Sequence, residues 1–170
     1  MKRCILLLLL VISASAYSQK ATIDNTASKV TFHFLEDDVK GSIEGFRFTG
    51  NFDPNDLEGS TLSGTVETKT LDTNNWLRSR HLRAKKFFSA KEHPQLLFKS
   101  SSLSGTGERF IAKGTLTIKG ISKPVTFNFK KDTNNKLLGN TTINTQDFDI
   151  SIHDEKEKNK VKITVVLVLR

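Results

Sequence analysis

The sequence predicts an all-β domain, built as a closed antiparallel barrel of eight strands with a short helical insertion between predicted strands 3 and 4. Two observations lead to this prediction. Apolar and polar residues alternate through most of the chain, as in strands with one buried face. The stretch 74–98 is the one long segment that lacks this alternation. The insertion is therefore expected there.

The first strand illustrates the pattern, because Val30, Phe32 and Phe34 alternate with Thr31 and His33. In the second strand the apolar phase shifts between Ile43 and Phe46, and glycines interrupt the segment, which indicates bulges or bends that let a sheet curl. Applied along the chain, the same criteria predict strands at 28–35, 39–52, 61–71, 95–102, 108–119, 123–131, 136–145 and 160–169.

The last predicted strand is β-branched, long and apolar, with Val161, Ile163, Val165, Leu167 and Leu169 on one face. Left as an open edge, such a strand would template aggregation, so the chain has a physical reason to pair it on both sides. Closing an eight-stranded antiparallel sheet removes both edges. A β-sandwich of the same strands remains the alternative fold.

The insertion is expected to form one or two helical turns that cross one end of the barrel. Trp76, Leu77, His81 and Leu82 provide its apolar positions, and Pro94 forces an extended return. Phe87 and Phe88 follow the helix and cannot share a face. We expect one ring to enter the barrel and the other to pack beneath the loop, so that the stretch acts as a lid.

The N-terminal residues 1–18 have the composition of a secretory signal peptide. Lys2 and Arg3 precede an apolar run and a series of small residues that ends at Ser18, where cleavage is expected. The remaining residues 19–170 then form one exported domain. Cys4 is the only cysteine of the sequence, so the domain must be stable without disulfides.

Motifs for catalysis are absent from the sequence. It contains no G-x-S-x-G, no H-E-x-x-H and no glycine-rich phosphate loop, and its four histidines are isolated. Asp147 and Asp149 flank Phe148, but a solvated strand end explains them better than a carboxylate pair. We therefore predict a protein that is not an enzyme and that has no catalytic residues, no metal site and no cofactor.

Five segments in order resemble the YceI-like family. Gly114–Val125 is similar to that family's G-x-L-T-I-K-G-(V/I)-(T/S)-K-P-V motif, and the others are Arg78 with His81-Leu82, Phe87-Phe88, His93–Phe98, and Ile143-Asn144 with Asp147-Phe148. Ser79 and Thr145 stand where relatives have Asp and Arg. The resemblance implies an exported bacterial protein, periplasmic or secreted, with a lipocalin-like barrel. It further implies that the barrel binds a polyisoprenoid, a quinone or another long-chain lipid, as a carrier or sequestering protein.

The aromatic composition agrees with a lipid ligand. The chain has twelve Phe, one Trp and one Tyr, and Tyr17 lies in the predicted signal peptide. Such rings lack the polar groups that sugar or nucleic-acid sites use, so no nucleic-acid partner is expected. The predicted ligand-binding residues are Phe32, Phe34, Phe46, Phe48, Phe87, Phe88, Phe98, Leu116, Ile118, Phe127 and Phe129. A solid core made of the same side chains is equally compatible with the pattern.

A basic cluster lies in the insertion, and the formal net charge of the sequence is +8. Arg80, Arg83, Lys85 and Lys86 are predicted to attract an anionic lipid head group or membrane surface. An ordinary solvated helix face is the competing interpretation. A filled barrel that binds anionic surfaces or polymers through this basic face is the alternative function. The sequence indicates no oligomeric state.

Overall fold

The computed structural model describes residues 21–170, which form a nine-stranded antiparallel sheet that curls on itself. The predicted signal peptide lies outside the described residues. The strands are β1 Lys29–Phe34, β2 Val39–Ile43, β3 Arg47–Phe48, β4 Ser63–Glu67, β5 Gln95–Gly105, β6 Arg109–Ile118, β7 Ile121–Lys131, β8 Lys136–Asn144 and β9 Lys160–Val168. Their spatial order is β2-β1-β9-β8-β7-β6-β5-β4-β3. The all-β antiparallel barrel prediction is confirmed, although the predicted number of strands was one too few.

The extra strand arises where the chain passes from one sheet edge to the other. The predicted strand 39–52 divides into β2 and β3 around Gly45, whose φ of 71° is in the left-handed region. β2 pairs with β1, and β3 pairs with β4, so this one segment supplies both edges. Ser42 and Asp72 exchange backbone hydrogen bonds at 2.9 Å, and the Glu67 N–H donates to the Glu44 carbonyl. These bonds tie the two edges together.

The other glycines of this segment serve a different purpose from the predicted bends. Gly41 is the cross-strand partner of Phe32, and a Cβ at Gly41 would lie 2.2 Å from the tip of that ring. The ring therefore lies flat across the glycine, where any larger residue would displace it. The predicted strand 61–71 is also shorter than expected, because it ends at Glu67 and continues as the 3₁₀ turn Thr68–Thr70.

The insertion contains one helix, α1, which spans Trp76–Arg83 between β4 and β5. Asn75 caps its N-terminus by accepting a hydrogen bond from the Arg78 N–H at 3.0 Å. The helix buries Ser79 and Leu82 and leaves Trp76 and Leu77 exposed. The expected helical turns are present, but only Leu82 of the four predicted apolar positions packs inward.

The interior of the barrel divides into two halves. The half near α1 and the β6–β7 turn contains Leu82, Phe88, Ile118 and Ile143. The opposite half, near the β5–β6 and β7–β8 turns, contains Phe110, Phe129 and Leu137 among others. Phe46, Phe98, Val125 and Ile163 contact both clusters and join the two halves. The barrel therefore has one continuous apolar interior.

Candidate functional site

The α1 half of the interior contains an apolar cavity of about 120 Å³. Nine of the eleven predicted ligand-binding residues line it, namely Phe32, Phe34, Phe46, Phe48, Phe88, Phe98, Leu116, Ile118 and Phe127. Strand alternation explains this convergence, because Phe32 and Phe34 share one face of β1 while Leu116 and Ile118 share one face of β6. The rings of Phe32 and Phe34 meet edge to face with centroids 5.6 Å apart.

Phe129 does not line the cavity, contrary to prediction. Its ring stacks on Phe110 at 4.9 Å with an interplanar angle of 10°, and Phe110 in turn contacts Phe52 at 5.5 Å. Phe129 shares the inward face of β7 with Phe127 but lies two residues further along the strand. These stacked rings form the solid end of the interior.

The lid aromatics occupy different environments. Phe88 lines the cavity with 6% of its surface exposed, and its N–H donates to the Leu82 carbonyl at 2.9 Å. Phe87 is outside the cavity lining and packs against the edge of the core, with the Lys86 ammonium 5.6 Å from its ring centroid. Only one of the two rings therefore reaches the cavity.

Aliphatic residues that were not among the predicted ligand-binding residues also line the cavity. They include Val30, Ile43, Leu62, Val66, Leu71, Leu96, Ile143, Val161, Ile163, Val165 and Leu167. The apolar alternation of β9 is the clearest sequence pattern among them, because four residues of its inward face line the cavity. Alternating aliphatic residues predict an inward face, but they do not distinguish residues that line a cavity from residues that fill a core.

Thr145 is a polar residue in this apolar wall. It is 2% exposed and lines the cavity at the start of the 3₁₀ turn Thr145–Phe148. Its hydroxyl oxygen has no hydrogen-bond partner among the described residues. A buried hydroxyl without a partner destabilises the folded state. The surface that faces the cavity is otherwise almost entirely apolar.

The predicted basic cluster is only partly free. The Arg83 guanidinium donates to the Lys69 carbonyl at 2.9 Å and to the Ser79 carbonyl at 3.1 Å, and so fastens α1 to the preceding loop. Lys85 pairs with Glu92 at 3.0 Å, and this contact, with the Ser89 hydroxyl, lowers the pKa of Glu92. Arg80 instead lies over the Trp76 ring at 5.4 Å.

Within residues 21–170, no group of three or more histidine, cysteine, aspartate or glutamate side chains could hold a metal ion. The described part of the chain also contains no helix that is long and apolar enough to cross a membrane.

A family model described as "YceI-like domain" matches residues 22–169. Among curated proteins, the chain is 30% identical over 125 residues to the UPF0312 protein plu2095 of Photorhabdus laumondii, an alignment covering 72% of this chain and 65% of the relative. It is 33% identical over 90 residues to Protein YceI of Salmonella arizonae, covering 53% and 47%. The chain thus spans between about half and two thirds of these relatives' length.

Solved structures share the fold. The crystal structure of BcnA from Burkholderia cenocepacia aligns with a TM-score of 0.76 at 24% identity, covering 86% of this chain and 98% of that one. A polyisoprenoid binding domain from Saccharophagus degradans aligns with a TM-score of 0.59 at 12% identity, covering 87% and 95%. At these identities the likeness shows a common fold.

Proposed function

The chain belongs to the YceI-like family, and from that premise we propose that it is an exported protein that holds the hydrocarbon of a long-chain lipid inside its barrel, as a carrier or sequestering protein without enzymatic activity. The observation that carries the proposal is the apolar cavity lined by Phe32, Phe34, Phe88 and Phe98. The fold shared with a polyisoprenoid binding domain supports an isoprenoid or a related lipid as the ligand.

The energetics favour a hydrocarbon tail. Moving a methylene group from water into an apolar interior contributes about 0.8 kcal/mol, before the cost of ordering the chain. A tail can therefore bind tightly without a charged anchor. A cavity of about 120 Å³ is slightly smaller than the engineered protein cavity of roughly 150 Å³ that binds benzene. Several isoprene units will fit only if rings such as Phe98 and Phe127 move aside.

Mass spectrometry of organic extracts from the purified protein tests the proposal directly, and uptake of prenyl quinones with increasing tail length extends the test. We expect affinity to rise with each isoprene unit and to level off once the tail meets the packed rings around Phe129. A protein that is consistently empty and takes up none of these quinones would contradict the proposal.

A cavity-filling variant provides the matched test. Val66 lines the cavity and is 8% exposed, so Val66→Phe should block lipid uptake while leaving the fold intact. Leu138→Phe is the control, because Leu138 points outward from β8 with 41% of its surface exposed. Equal uptake by Val66→Phe and by the control would place the ligand elsewhere.

Exposed residues on α1 favour an anionic membrane surface as a second partner. Trp76 is 70% exposed and Leu77 53% exposed, beside Arg80 and Lys86, which have no ion-pair partner in the described part of the chain. Aromatic and basic side chains together suit the interface of an anionic bilayer, where each basic residue contributes about 1 kcal/mol.

Liposome binding across a salt series tests the membrane contact. Changing Arg80, Arg83, Lys85 and Lys86 to Ser should weaken binding to anionic vesicles most at low salt, since the attraction is screened. The control is Lys29→Ser with Lys162→Ser, two exposed strand lysines. Unchanged vesicle binding by the fourfold variant would contradict the membrane proposal. Salt-sensitive binding to anionic polymers by a protein that takes up no lipid would instead support the filled-barrel alternative.

A further inference from the structure

The barrel wall has a gap between β7 and β8. These neighbouring strands pair only from Asn128–Lys131 to Leu137–Asn140, next to their connecting turn. Residues 121–127 of β7 pair with β6 alone, and residues 141–144 of β8 pair with β9 alone. Along this stretch the facing edges of the two strands have backbone N–H and C=O groups without a ladder partner. The gap lies in the half of the barrel that contains the cavity.

A polar cleft of about 470 Å³ occupies this gap. Its outer rim includes exposed residues that can donate hydrogen bonds, namely Lys113, Lys123, Thr126 and Thr142. Neither lysine has an ion-pair partner within residues 21–170. Asp147 also lines the cleft, but Lys156 pairs with its carboxylate at 2.9 Å. The ammonium, hydroxyl and unpaired backbone N–H groups can donate to a negatively charged oxygen group.

The inner side of the cleft is apolar, and one of its residues also lines the cavity. Val125, Ile143 and Phe148 line it there, and Ile143 also lines the cavity. Phe148 is 1% exposed and belongs to the same core cluster as the cavity wall. The side chains of Ile143 and Phe148 therefore separate the polar cleft from the apolar cavity.

The turn that carries Phe148 is held by burial of this ring in the core and by polar contacts near the surface. Phe148 lies on the 3₁₀ turn Thr145–Phe148, directly after β8. The Lys119 ammonium donates to the Asp149 carbonyl at 2.7 Å and to its carboxylate at 2.8 Å, and Lys156 pairs with Asp147 at 2.9 Å. Exposed ion pairs contribute little to stability. The turn makes no ladder pair with β7 or β8, so opening the route requires displacing the buried Phe148 ring but breaks none of the strand pairs.

We propose that this cleft is a lateral portal for an amphiphile whose head is an anionic oxygen group such as a carboxylate or phosphate. The hydrocarbon tail passes between β7 and β8, past Ile143 and Phe148, into the cavity, and the head stays in the cleft near Lys113 and Lys123. The inference rests on the proposed function and adds to it the route of the tail and the chemistry of the head.

A covalent bridge across the gap tests the route. In a Cys4→Ser background, Thr126→Cys and Thr142→Cys place thiols on opposite sides of the gap, where a short bis-maleimide can join them. The control bridge, Asn128→Cys with Asn140→Cys, joins cross-strand partners that are already paired. Uptake and release are measured with cis-parinaric acid, a polyene fatty acid whose fluorescence rises in apolar surroundings.

Compared with the same double-cysteine protein before bridging, the bridge over the gap should slow both uptake and release at least tenfold, because it closes the route of the tail. The control bridge should change neither rate. Unchanged rates in the bridged Thr126/Thr142 variant would overturn the portal while leaving lipid binding intact. Failure of the unbridged protein to bind the probe would instead refute the proposed function, and the portal with it.

The head group is tested by comparing the acid with its methyl ester. Lys113→Ala with Lys123→Ala should weaken binding of the acid roughly tenfold, the size expected for losing a charge-assisted hydrogen bond, and leave the ester unaffected. Lys29→Ala with Lys162→Ala is the matched control. Equal effects of the two lysine pairs on the acid would show that the head group lies outside the cleft.

Discussion

Thr145 illustrates what a single side chain contributes to this barrel. It stands where the resembled family has Arg, and its hydroxyl is buried without a partner among the described residues. Ser79, which stands where that family has Asp, is also buried, but its hydroxyl donates to Asp72 at 2.8 Å and so lowers the pKa of that carboxyl. The serine that stands in place of Asp is therefore hydrogen-bonded, whereas the threonine that stands in place of Arg has no partner among the described residues.

Thr145→Val should stabilise the fold by about 1 kcal/mol, because it removes a buried hydroxyl that makes no hydrogen bond and keeps the side-chain volume. Urea denaturation measures this effect. The matched control is Thr164→Val, which should destabilise, because the Thr164 hydroxyl donates to Asn140 at 2.9 Å. A lower urea midpoint for Thr145→Val would show that the hydroxyl has a partner after all.

Asp24 provides a pH-dependent contribution to stability. Hydrogen bonds from the Thr26 hydroxyl and the Ala27 N–H, with the nearby Arg170, lower its pKa to about 2. A carboxyl with a lowered folded-state pKa stabilises the fold above its unfolded pKa, and this contribution is lost as the pH falls through about 2. Thr26→Val should raise the Asp24 pKa, as carboxyl NMR would detect, and move acid unfolding to higher pH. An unchanged NMR titration would contradict the hydrogen-bond explanation.

The alternation of apolar and polar residues predicts which side chains face inward, but not how far along the barrel each of them lies. Phe127 and Phe129 share one face of β7, yet the first lines the cavity and the second stacks in the packed end. Depth along the barrel depends on strand tilt and on neighbours such as Phe110, which come from other parts of the chain.

The burial of Asn159 was not predicted either, because it depends on hydrogen-bond partners elsewhere in its loop. Asn159 is fully buried and makes four hydrogen bonds within the charged loop before β9.

Among the elements, α1 and the residues after it close the cavity end of the barrel. Phe88→Ala should cost roughly 3–5 kcal/mol, because it leaves a void beside an existing cavity. Phe87→Ala should cost about 1 kcal/mol, since that ring is half exposed. Thermal unfolding checks both values, and lipid release should quicken only in Phe88→Ala. Unchanged stability and uptake in both variants would refute the lid assignment.

The strands with regular alternation were predicted to within a few residues, including β1, β6, β7 and β9. The failure at 39–52 has a physical cause, because the change of phase between Ile43 and Phe46 is where the chain leaves one edge of the sheet and joins the other. The local sequence shows that the pattern changes. It does not show that β2 pairs with β1 while β3 pairs with β4, which is why one predicted strand is two strands in the structure.

For the molecule as a whole, the proposed lipid binding should be linked to folding. A ligand that binds only the folded barrel at 100 times its Kd should raise the free energy of unfolding by about 2.7 kcal/mol. Calorimetry with a prenyl quinone checks this, and the cavity-filled Val66→Phe variant should show no such increase. An equal increase in that variant would mean that the ligand binds outside the cavity.

The order of the strands also affects how the barrel forms. β1 pairs with β9 along its whole length, from Lys29 with Val166 to Phe34 with Val161, so the first and last strands of the described sheet are neighbours. Pairing between residues so distant in sequence is slow, because loop-closure entropy is lost before the contacts form. The barrel therefore cannot close during synthesis until β9 has emerged from the ribosome. Until that moment β1 lacks the strand with which it pairs along its whole length, so the finished fold is reached only after the last described strand is made.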